Sequence, residues 1–211
     1  MLNAIKNNAL TLVIFACAST GLVAVTHLAT KDTIAEQQQK QLLRVLNQVI
    51  PPRMHDNNLY EACTLVSNPM LGSEDPQPTY LATLEGEPSA IAIEAIAPDG
   101  YNGRIRVVVA TDMNGKVLGS RVLTHQETPG LGDKIDLRVS DWILDFAGQF
   151  VDQSNIDDWK VRKDGGKFDQ FTGATITPRA VVGAVKNATL FLNQNRETLF
   201  TQPANCGANH D

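Results

Sequence analysis

An uncharged apolar stretch near the N-terminus constrains the fold of this chain more than any other feature. Between Lys6 and Lys31 the sequence has no Asp, Glu, Lys or Arg, and residues 9–29 are largely Leu, Val, Ile, Ala, Phe and Thr. A helix rises about 1.5 Å per residue, so a helix over this stretch is long enough to cross a hydrocarbon core of about 30 Å. We therefore predict a transmembrane helix over residues 9–29.

Two cleavable leaders are alternatives to this anchor. A lone Lys6 before an apolar run also resembles the start of a signal peptide, and Cys17 after Ile-Phe-Ala faintly resembles a lipoprotein processing site. The apolar run continues well past Cys17 and no clear cleavage site follows it, which favours an uncleaved anchor. The charge of Lys6 favours residues 1–8 in the cytoplasm and the rest of the chain outside.

The remainder of the chain has the composition of a globular domain. Charged residues make up 19% and hydrophobic residues 43% of the 211 residues, which leaves room for one domain beside the anchor. The net charge of -5 and the lack of a basic patch argue against nucleic acid as a partner. Outside the span the only thiols are Cys63 and Cys206, which in an oxidising compartment form one disulfide or else are two unrelated thiols.

Local patterns predict an α+β fold in which a helical stalk leads from the transmembrane helix to one domain over residues 53–211. Residues 30–52 form the stalk, with apolar side chains at helical spacing until the Pro51-Pro52 pair ends the helix. We predict an irregular linker for residues 53–79. An antiparallel sheet follows, with Asn114-Gly115 as a tight hairpin turn. Its predicted strands are residues 80–84, 90–97, 104–112 and 116–125.

Helices are predicted to pack on this sheet. Residues 140–147 predict a short helix capped by Ser140, and residues 159–161 predict another strand. Residues 178–195 predict a long helix with Thr177 as its N-cap, where Pro178 in the first turn loses no hydrogen bond.

The segment before this last helix, residues 169–179 or DQFTGATITPR, contains three threonines within six residues. A helix N-terminus offers free N–H groups and the positive end of a dipole, so it stabilises an anion such as phosphate. Gly173 and Ala174 would let a large group approach the backbone closely. Threonines are equally typical of turns and caps, so the residues alone leave both interpretations open.

A second candidate loop lies at residues 125–134, HQETPGLGDK. Glycines and a proline predict a rigid turn, and Leu131 at its tip is an apolar side chain that could cover one face of a flat ligand. An ordinary connection is the alternative. No second His or Cys stands at ligand spacing from His125, so we predict no metal site, and no Ser/His/Asp or Cys/His set suggests a catalytic residue.

Together the two loops resemble the FMN-binding domains of membrane electron-transport complexes. DQFTGAT at residues 169–175 matches the flavinylation motif D-x-x-[ST]-G-A-[ST], and residues 127–132 match its companion E-T-P-G-L-G loop. Residues 97–135 and 163–182 resemble the G-subunit family of Rnf complexes. The equivalent FMN subunit of the sodium-pumping NADH:quinone reductase shares both motifs and is one alternative. A cofactor-free, membrane-tethered assembly module is another.

The resemblance implies a covalently bound FMN. Its phosphate would be joined by a phosphoester to Thr175, in a reaction that a Mg-dependent flavin transferase carries out with FAD as donor. Thr172 would support the loop and Asp169 would help the transferase recognise it. The other residues implied at the cofactor site are Gly173, Ala174, Glu127, Thr128, Leu131 and Gly132.

The resemblance also implies where the protein lies and what it does. It would be a single-pass protein of the bacterial inner (cytoplasmic) membrane, with its C-terminal domain in the periplasm. It would relay electrons within a complex that couples electron transfer between ferredoxin and NAD to ion translocation, and would not be catalytic alone. Its implied partners are the other membrane and peripheral subunits and the flavin transferase.

Overall fold

The computed structural model describes residues 2–206, with side chains from residue 5 onward. Met1, at the predicted cytoplasmic N-terminus, and residues 207–211, at the end of the predicted domain, lie outside the described residues. The chain divides into two compact units between Leu42 and Leu43.

The first unit consists of most of one long helix, α1, which spans Leu2–Val49. Its most apolar window has a mean hydropathy of 2.1, and none of that window is buried within the protein. Large apolar side chains such as Phe15 and Leu22 are about 70% exposed. Such a row of exposed apolar side chains is unfavourable in water and favourable in lipid. By length and composition α1 can cross a membrane, in agreement with the predicted anchor.

The second unit is built on a five-stranded sheet in which each strand pairs antiparallel with the next along the chain. The strands are β1 (Cys63–Asn68), β2 (Ser73–Leu84), β3 (Glu87–Gly100), β4 (Gly103–Asp112) and β5 (Val117–Thr124). The predicted hairpin at Asn114-Gly115 is confirmed: Gly115 takes a φ of +87° in the turn between β4 and β5. This is the backbone region that favours glycine. The predicted α+β class is confirmed as well.

A second helix, α2 (Ile176–Phe200), packs across one face of the sheet. Val181, Val185 and Leu192 of α2 are buried in the same core as Ile93 and Val107 of the central strands. The last turns of α1 cover part of the opposite face, where Leu46, Val49 and Ile50 are fully buried. Since both faces are covered, β3 is buried continuously from Ala90 to Ala97 rather than alternating between core and solvent.

The prediction of an irregular linker at residues 53–79 is wrong, because this segment contains β1 and the first half of β2. Prolines at positions 76 and 78 concealed β2 in the sequence. Residues 73–78 pair only with β1, and pairing between β2 and β3 begins at Thr79. Proline lacks an N–H but is tolerated where one side of a strand has no partner.

Two further local predictions are corrected. No strand forms over residues 159–161: Trp159 follows a 3-10 turn, and Val161 makes only an isolated bridge to Phe168. Both side chains belong to the buried core, which explains their strand-like apolar character. The short helix after Ser140 is a 3-10 helix, Trp142–Phe146, whose N-cap position is Asp141. Ser140 still accepts a hydrogen bond from the Trp142 N–H at 3.3 Å.

The C-terminal segment returns to the outer edge of the sheet. In the structure Cys63 of β1 is joined to Cys206 by a disulfide, with 5.2 Å between their Cα atoms. The Asn205 N–H donates to the Cys63 carbonyl at 2.9 Å, and the Asn205 side chain accepts from the Leu65 N–H at 2.7 Å. This segment therefore occupies backbone groups of an edge strand that would otherwise be open to pairing with another chain.

Candidate functional site

A cleft of about 300 Å³ lies at the N-terminal end of α2. Three chain segments form its wall: the turn between β3 and β4, the loop after β5, and the residues that lead into α2. The cleft is lined by Tyr101, Glu127, Thr128, Leu131, Gly132, Gly173, Ala174, Thr175, Ile176 and Thr177. Its volume is at the lower end of the range of small-molecule sites, about 300–1,000 Å³. The tertiary fold thus brings the two candidate loops of the sequence together.

Thr175 occupies the N-cap position of α2, where it replaces the predicted cap Thr177. Its φ and ψ of -76° and -27° are already helical, and its side chain makes no capping hydrogen bond. The N–H groups of Ile176 and Thr177 follow it in the first turn, where a helix provides no acceptor. Thr175 therefore presents a half-buried hydroxyl next to free N–H donors at the positive end of the helix dipole.

The turn before Thr175 explains why the motif contains a glycine. The Ala174 N–H donates to the Phe171 carbonyl at 3.1 Å, and Gly173 within this turn has a φ of +83°. Glycine adopts this left-handed conformation without the steric penalty of a side chain. A Cβ at Gly173 would also lie only 3.6 Å from Leu131 Cδ2, so the tip of the second loop lies directly over the turn.

Exposed apolar side chains surround the opening of the cleft. Leu131 is 43% exposed, Ile176 45% and Tyr101 66%. Apolar side chains that converge on a cleft with a few polar groups are typical of sites for flat organic ligands. The sequence pattern did not predict Tyr101 and Ile176 as site residues. An aromatic residue at the tip of the Pro98–Gly103 turn was the available signal for Tyr101.

Glu127 lies in the wall of the cleft with only 4% of its surface exposed. One carboxylate oxygen accepts the Asn102 N–H at 3.1 Å and the other accepts the Thr177 hydroxyl in a short hydrogen bond. Thr177 is therefore buried within the first turn of α2, with its hydroxyl directed at Glu127 instead of the helix backbone. Thr128 shapes the same loop, since its carbonyl accepts the N–H groups of Leu131 and Gly132.

The start of this loop is held by a chain of polar contacts. The Glu127 N–H donates to His125 Nδ1 at 3.1 Å, which assigns the proton of a neutral imidazole to Nε2. His125 Nε2 lies 3.8 Å from a carboxylate oxygen of Asp136. Hydrogen bonds from the Arg138 guanidinium hold the pKa of Asp136 below its usual value. Asp136 is therefore a carboxylate at neutral pH.

Asp169 and Thr172 do not line the cleft. The Asp169 carboxylate forms an ion pair with Arg162 at 2.9 Å, and about half of its side chain is exposed. Its carbonyl accepts the Trp142 indole N–H at 2.9 Å, which fixes the backbone before the threonine turn. Thr172 is exposed. Both residues are accessible from solvent, whereas the remaining seven predicted residues line the cleft.

The residues of the cleft suit FMN. The free hydroxyl and N–H groups at Thr175 match a phosphate, and the apolar opening formed by Leu131, Tyr101 and Ile176 matches a flat aromatic ring. Bound FMN would supply one-electron or two-electron redox chemistry, and the protein would supply position and electrostatic environment.

Comparisons with known proteins identify two family regions in the chain. A family model described as the RnfG N-terminal region matches residues 1–49, and a model described as the FMN-binding domain matches residues 100–189. The second match contains the whole lining of the cleft.

Full-length relatives carry one name. The chain is 69% identical to the G subunit of the ion-translocating oxidoreductase complex of Vibrio atlanticus, over 98% of this chain and 99% of the relative. It is 63% identical to the protein of the same name from Vibrio parahaemolyticus over the full length of both chains, and 57% identical to that of Aliivibrio fischeri, over 98% of this chain and 99% of the relative. These similarities extend from the apolar helix through the FMN-binding domain, so the chain belongs to the G-subunit family of ion-translocating oxidoreductase complexes.

Proposed function

We propose that this protein is the membrane-anchored electron-transfer subunit of an Rnf-type complex and carries FMN covalently on Thr175. The observation that carries the proposal is the position of Thr175: a hydroxyl without a hydrogen-bond partner among residues 2–206, at the N-terminus of α2, in a cleft formed by both motif loops. Membership of the G-subunit family and the match to an FMN-binding domain support this function.

A covalent bond suits the chemistry of this position. The flavin transferase would join Thr175 Oγ to the phosphorus of the FMN half of FAD, while the bond between the two phosphates breaks and AMP leaves. The hydroxyl proton passes to a base of the transferase or to water. The resulting phosphodiester carries one negative charge, which the N-terminus of α2 would stabilise by about 0.3–1 kcal/mol, or more where it is partly buried.

A covalent cofactor also suits the proposed location. α1 would anchor the protein in the inner membrane, and the second unit would lie in the periplasm, an oxidising compartment in which the Cys63–Cys206 disulfide can form. A flavin held only by non-covalent contacts would be lost there by dilution, and the phosphoester prevents this loss. The other subunits of the complex would supply and accept the electrons that pass between ferredoxin and NAD, in steps coupled to ion translocation.

The mass of the intact protein tests this proposal. The full chain is expressed with and without an active flavin transferase and is examined by mass spectrometry and by in-gel fluorescence under ultraviolet light. The expected mass increase with transferase is that of FMN less one water, accompanied by a fluorescent band. Thr175→Ala should abolish both signals. Thr201→Ala, at the exposed C-terminal end of the same helix, is the matched control and should keep them.

Two results would contradict the proposal. A bare-chain mass for the wild type in the presence of active transferase would favour the cofactor-free assembly module. A fluorescent Thr175→Ala band would move the attachment point to another residue.

A further inference from the structure

The carboxylate of Glu127 joins the three segments that form the cleft. Its oxygens accept the Asn102 N–H, in the turn between β3 and β4, and the Thr177 hydroxyl, in the first turn of α2. Glu127 itself belongs to the loop that carries Leu131. We call the Glu127–Thr177 hydrogen bond the latch. It is a direct polar link between the loop that carries Leu131 and the helix turn that begins at Thr175.

Two glycines leave space for this carboxylate. A Cβ at Gly132 would lie 2.7 Å from Glu127 Oε2 and 2.8 Å from Thr177 Oγ1. A Cβ at Gly100 would lie 3.0 Å from Glu127 Oε1. Gly132 does not have a positive φ, so the backbone conformation at this position does not require glycine. The space occupied by the latch explains why residue 132 has no side chain.

The burial and partners of Glu127 limit the role that it can have. Each oxygen already accepts a hydrogen bond, and the side chain is only 4% exposed. A buried carboxylate is stable only when its hydrogen bonds are made, so losing one donor affects the position of the whole loop. These contacts suit a residue that holds other groups in place.

We propose that Glu127 is a positioning residue: through the latch it holds Leu131 in register with Thr175, so that a flavin attached to Thr175 meets a fixed wall and its ring does not rotate freely. This inference rests on the proposed attachment of FMN. It predicts that breaking the latch leaves the covalent bond intact and releases the ring.

The test measures the mobility of the attached flavin in the full chain after loading by the transferase. Thr177→Val removes the hydroxyl at nearly constant volume, and Thr177→Ser restores it. The matched control is Thr189→Val, because Thr189 is also a fully buried threonine of α2, but its hydroxyl donates to the Val185 carbonyl far from the cleft. The readouts are flavin fluorescence anisotropy and visible circular dichroism, since both fall when the ring becomes mobile.

The expected result is a loss of most of the visible circular dichroism and a clear fall in anisotropy for Thr177→Val alone. Thr177→Ser and Thr189→Val should retain the wild-type signals. If loaded Thr177→Val matches the wild type, or if Thr189→Val loses as much, the latch does not position the flavin. A wild type that takes up no flavin defeats the proposed function instead, so the two failures are distinguishable by mass.

Gly132→Ala gives the same test if Thr177→Val does not fold or load. Its methyl group enters the space between Glu127 and Thr177 and forces them apart while leaving every hydrogen-bonding group present. Gly183→Ala on α2 is its control, because a Cβ there meets nothing within 4 Å. Gly132→Ala should release the flavin ring and Gly183→Ala should not; wild-type signals from loaded Gly132→Ala overturn the inference.

Discussion

Removal of the link between Cys63 and Cys206 is expected to destabilise the second unit substantially. The two cysteines are separated by 143 residues, and the bridge ties the edge strand β1 to the C-terminal segment. Without it, that segment would be held to β1 by hydrogen bonds, including those of Asn205 with Cys63 and Leu65 and that of Gln202 with Thr64. The perturbation is the double substitution Cys63→Ala and Cys206→Ala, compared with chemical reduction of the wild type.

The magnitude follows from the length of the closed loop. For a sequence separation of 143 residues, the chain-entropy model gives a stabilisation of about 5 kcal/mol, and native disulfides of small secreted domains are worth about 2–5 kcal/mol. For a unit of this size, 1 kcal/mol corresponds to about 2–4 °C in Tm. We therefore expect the double variant to lose about 2–5 kcal/mol and to unfold about 4–20 °C lower.

The assay is urea and thermal unfolding of the full chain in detergent, followed by tryptophan fluorescence. The sequence has two tryptophans, Trp142 and Trp159, and both are buried in the second unit, so the signal reports on that unit. Cys17→Ala, which removes the exposed cysteine of α1, is the control. A double variant within about 0.5 kcal/mol of the wild type, which is the usual effect of a neutral substitution, would refute the reasoning. A chemically reduced wild type that unfolds at the same urea concentration and temperature as the oxidised protein would refute it as well.

Two further predictions test other features of the fold. Partial desolvation and the neighbouring carboxylates of Asp141 and Asp169 raise the pKa of Asp145, although its side chain is exposed. Its ionisation therefore opposes folding, and stability is lost as pH rises through the folded-state pKa. Asp145→Asn should therefore raise Tm at pH 7 and leave it unchanged below the unfolded-state pKa; an equal effect at both pH values would contradict this. Gly72 has a φ of +73°, and a Cβ there would lie 1.9 Å from the Ile96 carbonyl oxygen. Gly72→Ala should cost more than the roughly 1–2 kcal/mol of a left-handed alanine. Gly86→Ala, with a φ of +84° and no atom within 4 Å, should cost only that amount, measured as the difference in urea midpoint.

The features predicted correctly from the sequence depend on local physical rules. The apolar run of α1 is a matter of composition and length, and the Asn114-Gly115 hairpin depends on one backbone conformation that glycine favours. Strand prediction failed where the local pattern was misleading. Prolines concealed the start of β2, and the apolar residues around Trp159 suggested a strand although they pack in an aromatic cluster.

At the candidate site, too, the sequence predicted the local features but not the contacts between distant residues. The two loops could be identified from their residues, and a helix could be placed after the threonines, because turn chemistry and helix signals are local. The roles of the threonines could not be separated in this way. Thr177 was predicted to cap α2, but its hydroxyl donates to Glu127, a residue 50 positions away in the chain.

The sequence alone therefore predicted an apolar helix able to span a membrane, an antiparallel sheet and two loops that resemble those of FMN-binding domains. Only the tertiary structure decided that the loops meet at the N-terminus of α2, that Thr175 is the motif threonine that lines the cleft without a side-chain hydrogen bond, and that the buried carboxylate of Glu127 bonds Thr177. The physical reason is that secondary structure and turns depend on neighbouring residues. Burial and hydrogen-bond partners depend instead on residues that come together only when the sheet and α2 pack.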